Sequence, residues 1–569
     1  MMPLGIATVT LLLAGAADAS TLKPPVLPLT VRNPYLSTWL GNARDEPWQK
    51  WPMFWTGTEI GFGVLAHLPD TNDVFPLLGR PHDSLPSDTD DNKILFPMYK
   101  GAKYDASTTN LSYVLPPLGD NEGINVTLSF LSPVTPTSTL RQSLPATYFT
   151  VHVEGNVDVN IYVDVNGQWV SGHRESVIQW DLQYQTAGPQ KTYLKTWEVK
   201  RQSEQVFSEE KDQAEWGKLH FTAPEDVRHE CGNSSQLRLR FARTGSLQNE
   251  LDSKFRAIMD DEPVFAFSKS FELSQSNSTE GSSRDSIMFT IAHIQDPITQ
   301  FASARGLTYM RPLWKSWFPT EREMIAFHYS DFLSANALAT EYSEQLRIDA
   351  YASGSDNYVD IVALSARQTM GATSFSGTKE NPLLFLKEIS SNGNCQTVDV
   401  IFPAFPFFLY TNPRWAAYLL EPLLEHQLSG QYPNKYSMHD LGAHFPNLTG
   451  HADGRDEYMP VEECGDMLIM GLALVNSLTS GDDDEKQASW SIGRDTYSTE
   501  FENDVSLGLE SLIIRNNIEY MDNSWGGGTT GLEQARQWLE GRYELWKQWT
   551  GYLVEFALEP HNQCKFPPD

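Results

Sequence analysis

The segment "HDLGAHFPNLTGHADGRDEYMPVEECGDM", residues 439–467, is dense in histidine and carboxylate side chains. Such groups can activate water, protonate a leaving group and bind a charged ligand. Pro460 suits the first turn of a helix, so Glu462 and Glu463 are expected in that turn. Neighbouring helical positions diverge by about 100°, so at most one of the two should face a common centre. The alternative is that both only complement the helix dipole.

His439 and Asp440 open the same segment. A carboxylate beside an imidazole can hold it for proton transfer near neutral pH. A structural, hydrogen-bonded histidine is the commoner explanation of such a pair. Together with Glu462 and Glu463, these two residues complete the set of catalytic candidates.

The turn that follows offers candidates for substrate binding. Its acidic and basic side chains could bind the charged groups of a small ligand, or it could be an ordinary solvated turn. Its oxygen atoms would also suit calcium, but the spacing matches no EF-hand, so neither a metal nor another cofactor is predicted. The candidates are His451, Asp453, Arg455, Asp456 and Glu457.

Covalent nucleophiles are weaker candidates, because the chain has no Gly-x-Ser-x-Gly elbow. A Ser-x-x-Lys pair, in which the lysine can activate the serine, occurs at Ser20, Ser208 and Ser376, about as often as chance provides, and Ser376 is the best placed. Cys464 follows Glu463 near the expected helix start. The helix dipole would lower the pKa of its thiol and the adjacent carboxylates would raise it. A buried or disulfide-bonded cysteine is the preferred interpretation.

Composition indicates a secreted, acidic protein with several domains. The chain has 569 residues, which is more than a single hydrophobic core usually supports, so at least two domains are expected. The formal net charge of −31 disfavours binding to nucleic acid or anionic membranes. A short apolar run over residues 4–16, followed by Ala-Asp-Ala, predicts a signal peptide over residues 1–19 and no membrane anchor after its removal.

Sequons and cysteines agree with an extracellular location. The even number of cysteines permits disulfides but assigns no pairing. The cysteines are Cys231, Cys395, Cys464 and Cys564. Sequons for N-linked glycosylation occur at Asn110, Asn125, Asn233, Asn277 and Asn447.

The first half of the chain has the period of β-strands. In "NVDVNIYVDVNGQW", residues 156–169, apolar and polar residues alternate before an Asn-Gly turn. "QLRLRFA" (236–242) alternates too, while "ATYFTVHVEG" and "SIMFTIAHI" are rich in β-formers. Strict alternation predicts strands with one buried and one solvated face, as in an antiparallel sandwich. Residues 274–285 are predicted to form a polar loop.

After about Arg311 the period becomes helical. A β domain followed by helix hairpins is therefore expected. The aromatic string "WPMFWTG" (51–57) could line a pocket or a carbohydrate subsite, but an interface between domains is preferred. The predicted helices cover residues 331–346, 357–371, 412–428, 459–478 and 531–558.

Several longer strings resemble a known family. They include "FLKEISSNGNCQTVDVIFPAFPFFLYTNPRWAAYLLEPLLEHQLSGQYPNKYSMHDLG" and "GHADGRDEYMPVEECGDMLIMGLALVNSL", together with "RNPYLSTWL", "WPMFWTG", "TIAHIQDP" and "SARQTMGA". On these strings the chain resembles the fungal secreted glutaminase A family from about residue 25 to residue 563.

The resemblance implies a multidomain β + α fold. An N-terminal antiparallel β-sandwich is expected over residues 20–310, and a six-hairpin (α/α)6 toroid over residues 311–569. The implied activity is extracellular hydrolysis of L-glutamine, a small-molecule partner, to L-glutamate and ammonia. Similar proteins continue past Gln563, where this chain reads "CKFPPD", so the toroid is expected to be truncated and the natural message to continue. A six-hairpin glycoside hydrolase and an inactive secreted binding protein are the alternative hypotheses.

Overall fold

The computed structural model describes residues 21–86, 93–116, 123–275, 283–389, 391–442, 444–479 and 531–560, and Trp525. The signal peptide, the sequon at Asn277, Cys564 and the chain end after Gln563 lie outside these residues. Strands dominate up to residue 310 and helices dominate after residue 320. This order confirms the predicted fold class of antiparallel sheets followed by helix hairpins.

The described strands are, in chain order, β1 Leu27–Asn33, β2 Leu36–Leu40, β3 Met53–Phe54, β4 Phe62–Leu68, β5 Asp73–Leu78, β6 Lys93–Ile94, β7 Met98–Tyr104, β8 Thr108–Leu115, β9 Ile124–Leu131, β10 Ala146–Gly155, β11 Val159–Asn166, β12 Val177–Ala187, β13 Thr192–Arg201, β14 Glu209–Glu210, β15 Gln213–Ala214, β16 Lys218–Pro224, β17 Arg228–Asn233, β18 Arg256–Ala257, β19 Pro263–Phe271, β20 Ser283–Ile294, β21 Thr299–Ser303, β22 Gly306–Met310, β23 Thr373–Gly377, β24 Pro382–Leu386 and β25 Asn447–Leu448.

Two large sheets form the sandwich. One has nine strands in the order β18-β12-β13-β16-β20-β10-β9-β8-β7, and the other has six in the order β17-β19-β11-β4-β5-β6. Alternating apolar residues turn one face of each sheet inwards, as along β8, where every second residue is buried. Phe62 of β4 meets Phe149 of β10 with ring centroids 5.4 Å apart. Aromatic contacts across the two sheets thus fill the core.

The strand predicted for "QLRLRFA" is wrong, because this segment lies in a helix, α2, Ser234–Thr244. Asn233 caps the helix by accepting a hydrogen bond from the backbone N–H of Gln236, and Gly245 ends it with a φ of 67°. Leu237 and Phe241, four residues apart, are buried together. Local capping and an i, i+4 apolar pair outweighed the alternation.

The prediction of one solvated face is also wrong for β11, where all eight residues are buried. The outer face of this central strand contacts α2. Arg238 of α2 donates a hydrogen bond of 2.7 Å from Nε to Asp164 Oδ2, and Tyr162 donates one of 2.8 Å to the same carboxylate atom. Alternation therefore marked polar residues that are buried in pairs rather than solvated.

The described α-helices are α1 Thr139–Ser143, α2, α3 Glu321–Ser330, α4 Phe332–Ser353, α5 Asp356–Gly371, α6 Val398–Thr411, α7 Pro413–Leu428, α8 Pro460–Thr479, α9 Gly531–Glu540 and α10 Tyr543–Phe556. Four of the five predicted helices are present as single elements. The fifth, residues 531–558, is divided into α9 and α10 at Gly541 and Arg542. None of the described helices has both the length and the apolar character that crossing a membrane requires.

Helix α8 is the central element of the helical part. It packs against α6, α7, α9 and α10. Gly471 lies under the indole of Trp546, where the β-carbon of any larger residue would come within 3.0 Å of the ring, so the close approach depends on this glycine. Because α8 is held on several sides, its first turn has a fixed position relative to the neighbouring helix ends.

Helix α6 and the hairpin of β23 and β24 were not predicted from the sequence. Pro403 and Pro406 lie inside α6 and disguised it, but Ile401, Phe405 and Phe408 are buried and stabilise it. β21 pairs with both β22 and β25, so this small sheet crosses the domain boundary predicted at residue 310. That boundary remains a prediction.

Candidate active site

Three side chains from separate segments converge at the N-terminal end of α8. Asp399 lies in the first turn of α6, His439 lies in the loop after α7, and Glu463 lies in the first turn of α8. One potential ligand or acid–base atom of each lies within 4.8 Å of the others. The site is therefore built where two helix starts and one loop meet.

Asp440 holds two histidines. His439 Nδ1 lies 2.7 Å from Asp440 Oδ2, and His451 Nε2 lies 2.8 Å from Asp440 Oδ1. The backbone N–H of Gly442 also donates to this carboxylate at 2.7 Å. Burial opposes the charged form, but the hydrogen bonds from both histidines bring the pKa of Asp440 far below its usual value.

The two imidazoles respond in the opposite direction. Burial lowers the pKa of His439, but the hydrogen bond with Asp440 outweighs it and the resulting pKa is raised. The hydrogen bond with Asp440 likewise raises the pKa of His451. With Nδ1 of His439 engaged, its Nε2 faces the site, 3.8 Å from Asp399 Oδ1. His439 is thus oriented as a cation or proton donor towards the centre.

Glu463 is the most perturbed acid of the site. It is only 1% exposed, and neither carboxyl oxygen has a hydrogen-bond partner among the described residues. Burial, followed by the nearby charges of Asp399 and Asp466, raises the pKa of Glu463 to about 10. A buried carboxyl with this pKa carries a proton at neutral pH, so Glu463 is a proton donor rather than a second anion.

Asp399 and Asp466 were not among the residues predicted from the sequence. Asp399 was hidden because α6 itself was not predicted, although an acid in a first helical turn could have signalled it. Burial and the charges of Glu462 and Asp399 raise the pKa of Asp466 to about 6. Asp466 lies three positions after Glu463 on α8, so the same helix face could have indicated it.

The predicted substrate-binding residues are only partly brought to the centre. Asp456 accepts hydrogen bonds from the backbone N–H of His439 at 2.9 Å and from Tyr432 at 2.9 Å, so it supports the loop. Glu457 is exposed, but its carboxylate lies 3.7 Å from His439 Nε2. Asp453 and Arg455 are exposed at the turn, where Asp453 accepts a hydrogen bond from the backbone N–H of Arg455.

The other predicted residues have distinct surroundings. Glu462 is half-buried beside Glu463, in agreement with only one of the pair facing the centre. Cys464 is a buried free thiol, and burial raises its pKa to about 12, which opposes a thiolate nucleophile. Ser376 is buried in β23 and donates a hydrogen bond to the carbonyl of Arg311 at 2.8 Å. Cys231 and Cys395 are also buried free thiols.

The sequons differ in accessibility. Asn125 is exposed on β9, while Asn110, Asn233 and Asn447 are half-buried. The Asn447 amide donates to the carbonyl of Phe207 at 3.2 Å.

The site has the components of acid–base hydrolysis. One carboxyl carries a proton, a second carboxyl group lies beside it, and an oriented imidazole faces both. One imidazole and two carboxyl groups at this spacing could also hold a divalent cation.

Comparisons with known proteins agree with the sequence resemblance. Residues 355–492 match the family described as the glutaminase A six helical-hairpin domain, and residues 119–349 match a domain of unknown function. A probable glutaminase of Arthroderma benhamiae is 58% identical over 554 residues, which cover 96% of this chain and 64% of that protein. Glutaminase A of Aspergillus oryzae is 34% identical over 543 residues, which cover 90% of this chain and 74% of that protein.

The chain thus spans a little under two thirds of the length of the first of these relatives. Among solved structures, a putative kojibiose phosphorylase from the human microbiome aligns with a TM-score of 0.36 and 10% identity, over 74% of this chain and 47% of that one.

Proposed function

The chain belongs to the glutaminase A family, and from this membership we propose that it hydrolyses the side-chain amide of L-glutamine to L-glutamate and ammonia. The names of both relatives support this reaction. The observation that carries the proposal is the meeting of a protonated Glu463, Asp399 and an oriented His439 within 4.8 Å. A buried acid with a strongly shifted pKa that meets a second carboxyl group and a histidine is typical of catalytic sites.

We assign one role to each group. Asp399 accepts a proton from water as the water oxygen attacks the amide carbon. His439, held through Nδ1 by Asp440, donates from Nε2 to the oxygen that becomes negative in the tetrahedral intermediate. Glu463 donates its proton to the amide nitrogen, and the carbon–nitrogen bond breaks to release ammonia. Proton transfer between the adjacent Asp399 and Glu463 then restores the starting state.

The loop before α8 supplies the charged groups for the two ends of the amino acid. We assign Glu457, whose carboxylate lies 3.7 Å from His439 Nε2, to the α-ammonium and the exposed Arg455 to the α-carboxylate. Asp453 and His451 line the same turn as secondary candidates, and Asp456 supports the backbone beneath it.

Secretion is part of the same proposal. The predicted leader over residues 1–19 supports export. Among the sequons in the described residues, the one at the exposed Asn125 is best placed for glycosylation. Mass spectrometry of protein secreted by a fungal host, before and after deglycosylation, measures both the start of the mature chain and the occupied sequons.

The test is ammonia release from L-glutamine by the purified chain and by Glu463→Gln, with Glu462→Gln as the matched control from the same turn. We expect Glu463→Gln to lose activity by about 100-fold or more and Glu462→Gln to keep most of it. Asp399→Asn should be impaired as strongly as Glu463→Gln. Equal activity of all three variants and the parent would contradict the assigned site.

A glycoside hydrolase is the second candidate, because Asp399 and Glu463 form a pair of carboxyl groups close enough for a retaining mechanism. Reducing sugar released from a panel of glycans, without ammonia from glutamine, would favour it. If neither ammonia nor reducing sugar is released, a secreted binding protein is favoured.

A further inference from the structure

Lys387 is a fully buried lysine between the sandwich and the helical part. It directly follows β24, and its side chain has 0% exposure. Its ammonium lies 2.7 Å from Glu209 Oε1 and 2.9 Å from Asp212 Oδ1, both on the β14–β15 hairpin that projects from the sandwich. Burying an ammonium is costly unless carboxylates compensate it, so the hairpin and Lys387 hold each other in place.

Aromatic rings enclose the same ammonium. Its nitrogen lies 5.9 Å from the ring centre of Tyr35, 5.5 Å from that of Trp55 and 5.9 Å from that of Phe445. Tyr35 also donates a hydrogen bond of 2.8 Å to Glu209. Tyr35 and Trp55 belong to the sandwich part, whereas Phe445 belongs to the loop of the candidate site. The ammonium therefore contacts both parts through cation–π interactions.

The backbone beside Lys387 supports the loop that carries Asp440. Lys387 pairs with Cys395 across a short antiparallel bridge. The carbonyl of Cys395 accepts the N–H of Leu441 at 2.8 Å, directly after Asp440. At the other end of the loop, the N–H of Phe445 donates a hydrogen bond of 2.7 Å to the carbonyl of Gly393, which lies between Lys387 and Cys395 in the chain. Both ends of the Asp440 loop thus rest on the segment that Lys387 anchors.

The same segment leads into the helix that carries Asp399. Thr397 is the N-cap residue of α6, and its hydroxyl donates to Glu388 Oε2 at 3.0 Å. Glu388 is adjacent to Lys387 in the chain. A displacement of Lys387 would therefore reach Asp399 through the helix start as well as Asp440 through the loop.

The supporting sandwich hairpin has an imposed shape. Phe207, Lys211 and Asp212 are non-glycine residues with φ between 54° and 63°. Side chains avoid this backbone region unless their surroundings hold them there. For Lys211 and Asp212 the two-residue turn between β14 and β15 requires it, and the carboxylate of Asp212 contacts Lys387.

We propose that Lys387 is a positioning residue for the reaction proposed above: clamped by the carboxylates of the sandwich hairpin, it fixes the loop of Asp440 and the helix start of Asp399. Lys387 touches no reacting group. The kinetic part of this inference rests on the proposed function, and the structural part does not.

The test compares Lys387→Met with Lys315→Met. Both changes remove the charge and keep most of the length of the side chain. Lys315 is the control because its ammonium also pairs with an aspartate, Asp296, but its side chain is 30% exposed instead of fully buried. We expect Lys387→Met to lower kcat by about tenfold to 100-fold, as small displacements of reacting groups do, with KM changed by less than about twofold. Lys315→Met should change neither constant.

A second measurement does not depend on activity. The pKa of His439, followed by NMR of histidine-labelled protein and assigned with His439→Gln, should fall in Lys387→Met because Asp440 holds the imidazole less firmly. It should stay constant in Lys315→Met. A loss of stability alone would leave the pKa of His439 in the folded protein unchanged.

The outcomes separate the two proposals. If the parent chain releases no ammonia, the proposed function fails, while the pKa of His439 still decides the role of Lys387. If Lys387→Met does not fold, Asp212→Asn, at a partly exposed position, should lower kcat and the pKa of His439 by smaller amounts. An unchanged kcat and an unchanged pKa of His439 in a folded Lys387→Met would overturn the inference.

Discussion

Replacing Glu463 with glutamine should change how the stability of the protein depends on pH. Glutamine resembles the protonated carboxyl in shape and charge but cannot titrate. Burial raises the folded-state pKa of Glu463 to about 10, from an ordinary value of 4.5. Above the ordinary pKa the unfolded chain releases this proton and the folded protein keeps it. The stability of the parent protein therefore falls as pH rises from the unfolded pKa towards the folded one.

The magnitude follows from the width of this window. Each pH unit within it costs about 1.4 kcal/mol, so the parent loses about 2.7 kcal/mol between about pH 5 and about pH 7. Glu463→Gln does not undergo this loss. Its stability relative to the parent should therefore increase by about 2.7 kcal/mol over the same interval, whatever constant offset the amide introduces.

Equilibrium urea unfolding at the two pH values measures the difference, with Glu462→Gln as the control for removing one carboxylate from the same turn. The comparison uses differences between variants, so contributions shared by all the proteins cancel. A stability difference between Glu463→Gln and the parent that is the same at both pH values would show that Glu463 is not a buried, protonated acid.

Three further changes test other parts of the structure. Asp440→Asn removes the charge that raises the pKa of His439, so kcat should fall by about 100-fold, and NMR should show a lower pKa of His439. Because folding depresses the pKa of Asp440, the stabilising effect of this carboxylate should persist above about pH 4 and fade as the pH falls below it, measured by urea unfolding. Asp466→Asn removes a charge that raises the pKa of Glu463, so the alkaline limb of the kcat/KM profile should move to lower pH. Thr320→Ala removes the capping box of α3 and should cost about 1 kcal/mol, measured by calorimetry.

The fold class could be predicted because two patterns extend over long parts of the sequence: the alternation of apolar residues in the strands and their 3.6-residue spacing in the helices. Alternation over many strands and helical spacing over five segments survive individual errors. "QLRLRFA" shows the limit, since alternating residues in a short segment also place Leu237 and Phe241 on one helical face. Asn233 caps this helix. Because Asn233 also begins a sequon, it was interpreted from the sequence as a glycosylation site and not as an N-cap residue.

The sequence predicted only part of the cluster that the structure brings together, and its role as a catalytic site remains a prediction. Residue types at 439–467 indicated acid–base chemistry, and Glu463 was among the candidates. Glu462 and Glu463 are chemically identical in the sequence, and only rotation about the helix axis separates a half-buried carboxyl from one with no partner among the described residues. Asp399 was not predicted, because Pro403 and Pro406 inside α6 concealed the helix that presents it.

Neither carboxyl oxygen of Glu463 has a hydrogen-bond partner within the described part of the chain, which distinguishes this acid from Asp440 and Asp456. Asp440 and Asp456 are also substantially buried, but histidine, tyrosine and backbone donors satisfy them. A buried polar group without a partner destabilises a fold. A substrate amide that accepts the proton of Glu463 would supply the missing partner. The stability cost of Glu463 and its proposed role as an acid are therefore two consequences of the same burial.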